Sequence, residues 1–343
     1  MKVKVNGSYF LYFNEFAMTS HLDAVASSFT MHGYFDPTNP AHKVLYKPLT
    51  YPMVQFYHDD DTLFFTGKLV NMDFTSDSAP QLVTLSGYSL GGVLEDCTVP
   101  YEAYPLQSDN RSLREIAQRL LSFFNLNLIV YDNVAAVCDK VYKKSVASPS
   151  GSVKEYLSKL AAQRNVIISH DVNGNIIMFR PDAKAKPKGW FDNSNITGRS
   201  TLKVNGQQMH SSVGSIRQPG KKDVTKPSNV NAFDVIDDNL VKAYRPYVHI
   251  LTSGNETDTD DGAKNAFAAE LKNIQVEFML EHWEDINPGD IIMFSNPDLY
   301  ITKKARMMVI NTTKSESSTA RTMAITAVLP ETFTGDQPID IFQ

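Results

Sequence analysis

The first 97 residues contain one short strand-like run after another and no stretch with a sustained helical period. Runs rich in β-branched and aromatic residues follow each other at 2–5, 9–13, 25–31, 53–57, 63–67, 69–74 and 81–85. Turn signals separate them, and Asn6-Gly7 is a dipeptide that favours two-residue hairpins. Short strands spaced in this way are typical of barrels and sandwiches, so we predict an all-β domain for this part of the chain.

The pentapeptide Gly87-Tyr88-Ser89-Leu90-Gly91 has the G-x-S-x-G form found at the nucleophile of many serine hydrolases. Such a nucleophile needs a buried strand before the serine and a helix directly after it. The strand is present, but Pro100 leaves too short a segment for that helix. We therefore predict that Ser89 lies in a tight turn and that the chain is not an enzyme. A serine hydrolase is the alternative hypothesis, and its later triad partners would come from Asp234, His249 and His282.

The composition of the chain excludes several classes of protein. It has 343 residues, of which 42% are hydrophobic and 21% charged, as is typical of a soluble globular protein with two or three domains. A net charge of −5 provides no basic field for nucleic acid. Cys97 and Cys138 are too few for a disulfide framework or a zinc site. No signal peptide is visible and no apolar run approaches the ~20 residues of a membrane helix, so we expect synthesis and folding in a cytoplasm.

Residues 108–180 contain a helix–strand unit twice. Each copy begins with a Ser-x-x-Glu capping box, at 112–115 and 152–155, which satisfies free N–H groups at a helix start. Apolar residues then recur at helical spacing. Asn125 and Asn165 stand where a left-handed residue commonly ends a helix, and a strand-like run follows each of them. We predict two small helices, each followed by a strand.

From residue 190 the chain returns to strand-like runs, with one helix at about 260–273. The segment before these strand-like runs, 181–190, is rich in lysine and proline and is predicted to be a solvated linker. A polar loop spans 218–231, and an acidic arm spans 331–343, with Pro330 directly before it and Pro338 within it. Together these patterns predict an α+β fold that is mainly β.

Two acidic stretches could be taken for metal sites, and neither has the required pattern. Asp59, Asp60 and Asp61 lie in a predicted hairpin turn, where adjacent acids are usually solvated. In 256–262, Gly262 would be the sixth residue of a calcium loop, but the first, third and twelfth would be Thr257, Thr259 and Ala268. None of these supplies a carboxylate, so the calcium pattern fails. We predict no metal and no cofactor.

Four passages of the sequence, taken together with their order and spacing, indicate a protein family, although no single passage is very specific. They are the strand pair at 5–30, the turn at 85–90 running into Leu94-Glu95-Asp96-Cys97, the helix at 113–124, and the Ala-rich helix at 260–273 leading to Asn287-Pro288-Gly289-Asp290. Their order and spacing resemble the baseplate hub proteins of contractile phage tails, the Mu-like tail protein or late-control group. The N-terminal hub half of type VI secretion spike proteins is related to this group. The resemblance covers roughly residues 1–330.

The resemblance implies a structural protein that forms a homotrimer. Two β-barrel-like modules per chain would alternate around an axis and form a pseudo-sixfold ring, which adapts a sixfold tail tube to a threefold central spike. The implied domains are a β-barrel-like domain at 1–97, an α+β domain at 98–189, a second β-barrel-like domain with an inserted helix at 190–330, and the arm at 331–343.

The implied partners are other copies of the chain, the tail tube protein, the central spike protein and other baseplate proteins. The implied location is the baseplate of a virion tail, after synthesis in the cytoplasm of a bacterial host. Neither a membrane nor a specific nucleic-acid sequence is expected as a partner. In the arm, the candidate contact residues are Ile339, Ile341 and Phe342.

Overall fold

A computed structural model describes residues 1–11, 13–76, 82–217, 232–251 and 259–342. The predicted loop at 218–231 lies outside these residues. Contacts between Cα atoms divide the chain into two compact units. The first unit comprises Met1–Arg180, Glu281–Glu284 and Thr312–Met323, and the second unit comprises Pro181–Leu280, Asp285–Asn311 and Ala324–Gln343. The domain boundaries given above stay predictions.

The first unit begins with an antiparallel sheet. Its strands and one short helix are β1 (Lys2–Val5), β2 (Ser8–Phe10), β3 (Phe13–His21), β4 (Ser28–Tyr34), α1 (Pro40–Leu45), β5 (Met53–Tyr57), β6 (Leu63–Thr75) and β7 (Leu82–Ser89). The strand order is β3-β4-β7-β6-β5-β1-β2. Buried and less buried residues alternate along β4 and β7, which places one face of the sheet on the core.

The core of this sheet is largely aromatic. The ring of Phe56 lies 4.8 Å from that of Phe16, 5.0 Å from that of Phe29 and 4.9 Å from that of Phe65. Trp283 joins the cluster beside Phe16, at 6.2 Å between ring centroids. Rings at these distances and mostly edge-to-face angles stabilise each other beyond the area they bury.

The rest of the first unit consists of small helices and short strands. In chain order they are α2 (Val93–Asp96), β8 (Arg111–Ser112), α3 (Leu113–Ser122), β9 (Leu128–Val130), α4 (Asp132–Cys138), β10 (Val141–Tyr142), α5 (Val153–Ala162), β11 (Ile167–His170) and β12 (Ile176–Phe179). The last strand lies at the centre of a three-stranded sheet, antiparallel to β11 and parallel to β9. The apolar faces of α3 and α5 share one buried cluster with this sheet.

Local sequence signals define both of the larger helices in this part. Ser112 and Glu115 form a complete capping box at the start of α3, and the hydroxyl of Ser152 accepts a hydrogen bond from the N–H of Glu155 at the start of α5. Asn125 and Asn165 have φ angles of +54° and +49°. The two predicted helix–strand units are therefore present.

The second unit contains two sheets and one long helix. Its elements are β13 (Trp190–Phe191), β14 (Thr201–Val204), β15 (Ser212–Arg217), β16 (Ala232–Asp237), β17 (Pro246–Leu251), α6 (Thr259–Leu271), β18 (Ile274–Leu280), β19 (Ile291–Asn296), β20 (Ile301–Glu316) and β21 (Arg321–Val328). One sheet has the order β14-β18-β21-β20, with β19 pairing β20 and β13 pairing β19. The C-terminal end of β20, from Thr312, and the start of β21, up to Met323, belong to the first unit.

The other sheet of the second unit carries α6 on one face. Strand β15 lies between β16, to which it is antiparallel, and β17, to which it is parallel. The helix packs on all three strands and on the 3-10 turn Pro330–Phe333. Its buried side chains include Ala263, Phe267 and Leu271, which belong to the apolar face predicted from the sequence.

The observed secondary structure confirms an α+β fold that is mainly β, with antiparallel sheets and few helices. Three short helices, α1, α2 and α4, were not predicted. The predicted linker at 181–190 packs on the second unit, because the N–H of Lys188 donates to the carbonyl of Ile291 at 2.8 Å and Arg306 donates to the carbonyl of Ala183 at 2.9 Å. None of the helices in the described part of the chain is long and apolar enough to cross a membrane.

Candidate functional site

The G-x-S-x-G pentapeptide lies where β7 ends. Ser89 is the last residue of that strand, and the 3-10 turn Leu90–Gly92 and the four-residue helix α2 follow it. Ser89 has extended backbone angles, φ −60° and ψ 160°, and its side chain is fully buried. A nucleophile elbow instead strains the serine and exposes its hydroxyl above a sheet. The local geometry is therefore that of a turn.

Both glycines of the pentapeptide allow the backbone to approach another segment closely. A Cβ atom on Gly87 would lie 1.9 Å from the carbonyl oxygen of Lys68 on β6, and one on Gly91 would lie 2.2 Å from the carbonyl oxygen of Val25. Real Cβ contacts do not reach these distances, so any larger residue would push two backbone segments apart. The glycines of the pentapeptide are required by packing.

The serine of the pentapeptide is half of a reciprocal pair. Its N–H donates to the carbonyl of Ser27 at 2.8 Å, and its Oγ accepts the N–H of Ser27 at 3.1 Å. The Oγ of Ser27 in turn donates to Oγ of Ser20 at 2.8 Å and lies 2.9 Å from Nε2 of His170. These bonds connect β3, β7 and β11 within the first unit.

The histidine beside Ser27 lacks the surroundings of a catalytic base. Ser27 is 1% exposed, which leaves a substrate no access to its hydroxyl. The same hydroxyl also donates to Oγ of Ser20, so it is held between two side chains of the interior. Burial lowers the pKa of His170, and its Nδ1 is buried with no hydrogen-bond partner among the described residues. Within that part of the chain no carboxylate therefore orients the ring at Nδ1.

The other triad candidates lie on other elements of the chain. His282 pairs with Glu284, with 2.8 Å between Nε2 and Oε1. Asp234 is a residue of β16 and His249 a residue of β17. No group of three His, Cys, Asp or Glu residues in the described parts of the chain could hold a metal ion.

The acidic turn at 59–61 is paired with cations. Asp59 accepts a hydrogen bond from Arg321 at 2.6 Å, and Asp61 accepts one from Lys2 at 2.8 Å. Asp60 instead caps the turn by accepting the N–H of Thr62 at 3.0 Å. The bond from Arg321 holds the pKa of Asp59 far below its usual range. These acids fasten the turn within the first unit, a role that sequence alone did not indicate.

The candidate contact residues of the arm have different environments. Ile339 is 77% exposed, Ile341 is 7% exposed, and Phe342 is half-buried. Their role as partner contacts stays a prediction. The sequence did not indicate that Leu49 and Tyr51 are exposed and have positive φ angles, +62° and +47°. Bulky residues rarely adopt this backbone conformation, so no sequence pattern predicts it at these positions.

We expect Ser89→Ala to destabilise the first unit modestly, by about 1–2 kcal/mol, because it leaves the buried N–H of Ser27 without its acceptor. Urea unfolding of the purified chain measures this cost. Ser86→Ala is a matched control on the same strand, since Ser86 is half-buried and makes only a long contact of 3.4 Å with Asn71. The control is expected to change stability by less than about 0.5 kcal/mol. Equal midpoints for the two variants would contradict the assigned role of Ser89.

Comparison with known proteins supports the fold. No protein-family model and no curated protein matches the sequence. Among solved structures, the 43 kDa tail protein of prophage MuSo2 from Shewanella oneidensis aligns over 96% of this chain and 98% of its own, at TM-score 0.79 and 16% identity. The tail protein of Neisseria meningitidis MC58 aligns over 98% of both chains, at TM-score 0.77 and 16% identity.

A more distant structural match comes from a secretion system. The E. coli c3393 protein is described as a component of the type VI secretion system with structural similarity to the T4 bacteriophage tail proteins gp27 and gp5. It aligns over 99% of this chain and 80% of its own, at TM-score 0.61 and 9% identity. At these identities the matches establish the fold. The resemblance predicted from the sequence is confirmed at that level: the chain has the fold of phage tail proteins and of this secretion-system component.

Proposed function

We propose that the chain is a structural baseplate hub of a phage tail or a phage-like injection particle. Three copies form a ring in which two β-barrel-like modules per chain alternate, giving pseudo-sixfold symmetry. Such a ring adapts a sixfold tail tube to a threefold central spike. Closed point-group assemblies of identical chains are the usual form of homo-oligomers, and ring closure also protects sheet edges that would otherwise stay open.

One observation carries this proposal. The fold match to the prophage tail protein of Shewanella oneidensis covers nearly the whole of both chains, 96% of this one and 98% of that one, so the shared fold is that of an entire tail protein. The geometry at Ser89 agrees with a structural role, because its hydroxyl is used for internal hydrogen bonding. The proposed partners are further copies of the chain, the tail tube protein, the spike protein and other baseplate proteins.

The proposed location is the baseplate of an assembled tail, after synthesis in the cytoplasm of the bacterial host. No observation favours the serine hydrolase hypothesis, since Ser89 is buried and the helix after it has only four residues. The hub hypothesis therefore predicts that a serine-reactive probe will not label Ser89 in the folded chain.

We expect the purified chain to form a trimer of about 115 kDa, three times the 38.3 kDa of one chain. Light scattering across a concentration series measures this mass, and an unchanged mass over the series identifies a stable trimer. A stable dimer would contradict the threefold ring. If the chain is a monomer on its own, the same measurement is repeated with the coexpressed spike and tube proteins, and a persistent monomer then contradicts the proposal.

A further inference from the structure

A buried group of titratable side chains lies at one end of the sheet that carries α6. Glu270, near the end of the helix, is 8% exposed, and Asp238, just after β16, is 6% exposed. Lone carboxylates are rarely buried to this extent, because removal of a charge from water is costly unless the charge is paired. The two residues belong to the second unit and have no part in the function proposed above.

Glu270 fastens the helix to the segment before β15. Its Oε2 accepts the N–H of His210 at 2.9 Å, and its Oε1 accepts Nδ1–H of the same residue at 2.7 Å. The ring of His210 also stacks on Tyr247 of β17, with 4.9 Å between the ring centroids. One glutamate side chain thus holds together α6, the start of β15 and the start of β17.

Asp238 is only partly satisfied by hydrogen bonds. Its Oδ1 accepts the N–H of Leu240 at 2.7 Å, and its backbone N–H donates to the carbonyl of Ser211 at 2.9 Å. Its Oδ2 is buried and has no hydrogen-bond partner in the described part of the chain. An ionised carboxylate with an unpartnered buried oxygen is strongly disfavoured, whereas a protonated carboxyl group carries no charge into the interior.

The charged groups around the pair favour the same conclusion. Burial raises the pKa of Asp238. The backbone N–H groups of Leu240 and Val241 act to lower this pKa, and the charge of Lys242 lowers it least. Burial also raises the pKa of Glu270; the charge of Asp238 adds to this, and the bonds from His210 oppose it. Two neighbouring carboxylates in one buried place do not both ionise readily. The guanidinium of Arg245, on the adjacent segment, is directed to the carbonyls of Met209 and Gln207.

We propose that Asp238 and Glu270 together take up a proton in the folded chain at a higher pH than in the unfolded chain, and that this proton controls how firmly α6 is attached to the sheet of β15, β16 and β17. The folded state then binds more protons than the unfolded chain as the pH falls. Its stabilisation is complete below the unfolded pKa of a carboxyl group and is lost as the pH rises through the folded value. The attachment of α6 is therefore stronger in acidic solution, where the pair carries this proton, than in solution where both groups are ionised.

Hydrogen exchange of the amides in α6 tests this inference on the full chain. After correction for the intrinsic exchange rate, we expect protection of the helix to fall by about tenfold between about pH 4, near the pKa of an unfolded carboxyl group, and about pH 7 in the wild type. Asp238→Asn removes one ionisable group and keeps the acceptor for Leu240. We expect this variant to show nearly constant protection over the same range, with more protection than the wild type at the higher pH.

The neighbouring residue provides a matched control. Asp237 is exposed, and the hydrogen bond that it accepts from Gln337 goes to its backbone carbonyl and not to its carboxyl group. Asp237→Asn changes the net charge equally, so it is expected to keep the pH dependence of the wild type. The inference is overturned if Asp238→Asn keeps that dependence or if the control loses it. Should Asp238→Asn not fold, Glu270→Gln takes its place, and an unchanged pH dependence in that variant overturns the inference.

Discussion

Replacement of Gly91 by alanine is expected to destabilise the first unit by about 4 kcal/mol, a large part of the roughly 5–15 kcal/mol that is typical of a whole folded domain. The added Cβ would lie 2.2 Å from the carbonyl oxygen of Val25 and 2.8 Å from Cδ1 of Ile176. The first contact is with backbone, which cannot rotate away as a flexible side chain can. The loop holding Val25 and the turn after β7 would have to separate, which would disrupt the buried cluster beneath them.

Gly87→Ala is expected to have a similar effect, because its Cβ would lie 1.9 Å from the carbonyl oxygen of Lys68 on the paired strand β6. Gly206→Ala is the control, since no heavy atom lies within 4 Å of the Cβ position there. Urea unfolding with near-UV circular dichroism measures all three variants. The control should change stability by about 0.5 kcal/mol at most. A Gly91→Ala variant with the wild-type midpoint would show that the turn accommodates the methyl group.

The same pentapeptide illustrates where sequence reasoning succeeds and where it stops. A hydrolase elbow also uses small residues for close packing, so the two glycines alone do not separate an enzyme from a turn. The decisive information was the proline that follows, because Pro100 limits the length of any helix after Ser89. The sequence could not identify Ser27 as the partner of Ser89, since that pairing joins residues 62 positions apart.

Elements with strong local signals were predicted well. Both helices with Ser-x-x-Glu sequences at the start and a left-handed Asn shortly after the end are present, because these signals act within a few residues of each helix end. The helix α4 was missed, since its N-cap residue Tyr131 supplies no side-chain hydrogen bond and its apolar face is short. The helix α1 was also missed, although Asn39 caps it by accepting the N–H of Ala41, because six residues are too few for a periodic pattern.

Features that depend on distant parts of the chain were beyond the sequence. The acids at 59–61 have ordinary turn composition, and their partner Arg321 lies 262 residues away from Asp59. The carboxyl pair of the second unit likewise joins the end of β16 to the end of α6. In both cases the sequence shows a charge, while burial and pairing decide what the charge does.

Replacement of Phe56 by alanine is expected to cost about 4 kcal/mol in the free energy of unfolding of the first unit. Its ring is fully buried and is in contact with Phe16, Phe29 and Phe65 at centroid distances of 4.8, 5.0 and 4.9 Å. The substitution removes this ring from the centre of the aromatic core and leaves a cavity. Because the neighbours belong to the paired strands of one sheet, they cannot collapse fully into the space.

Two further variants make this expectation specific to the aromatic core. Phe56→Leu keeps most of the apolar volume and is expected to cost about 1.5 kcal/mol, which separates the loss of the ring from the loss of all packing. Tyr101→Ala removes an aromatic ring that is 80% exposed and should change stability by less than about 0.5 kcal/mol. The urea midpoints should therefore rise in the order Phe56→Ala, Phe56→Leu, Tyr101→Ala. If Phe56→Ala lowered the midpoint no more than Tyr101→Ala does, the aromatic cluster would not be the centre of stability in the first unit.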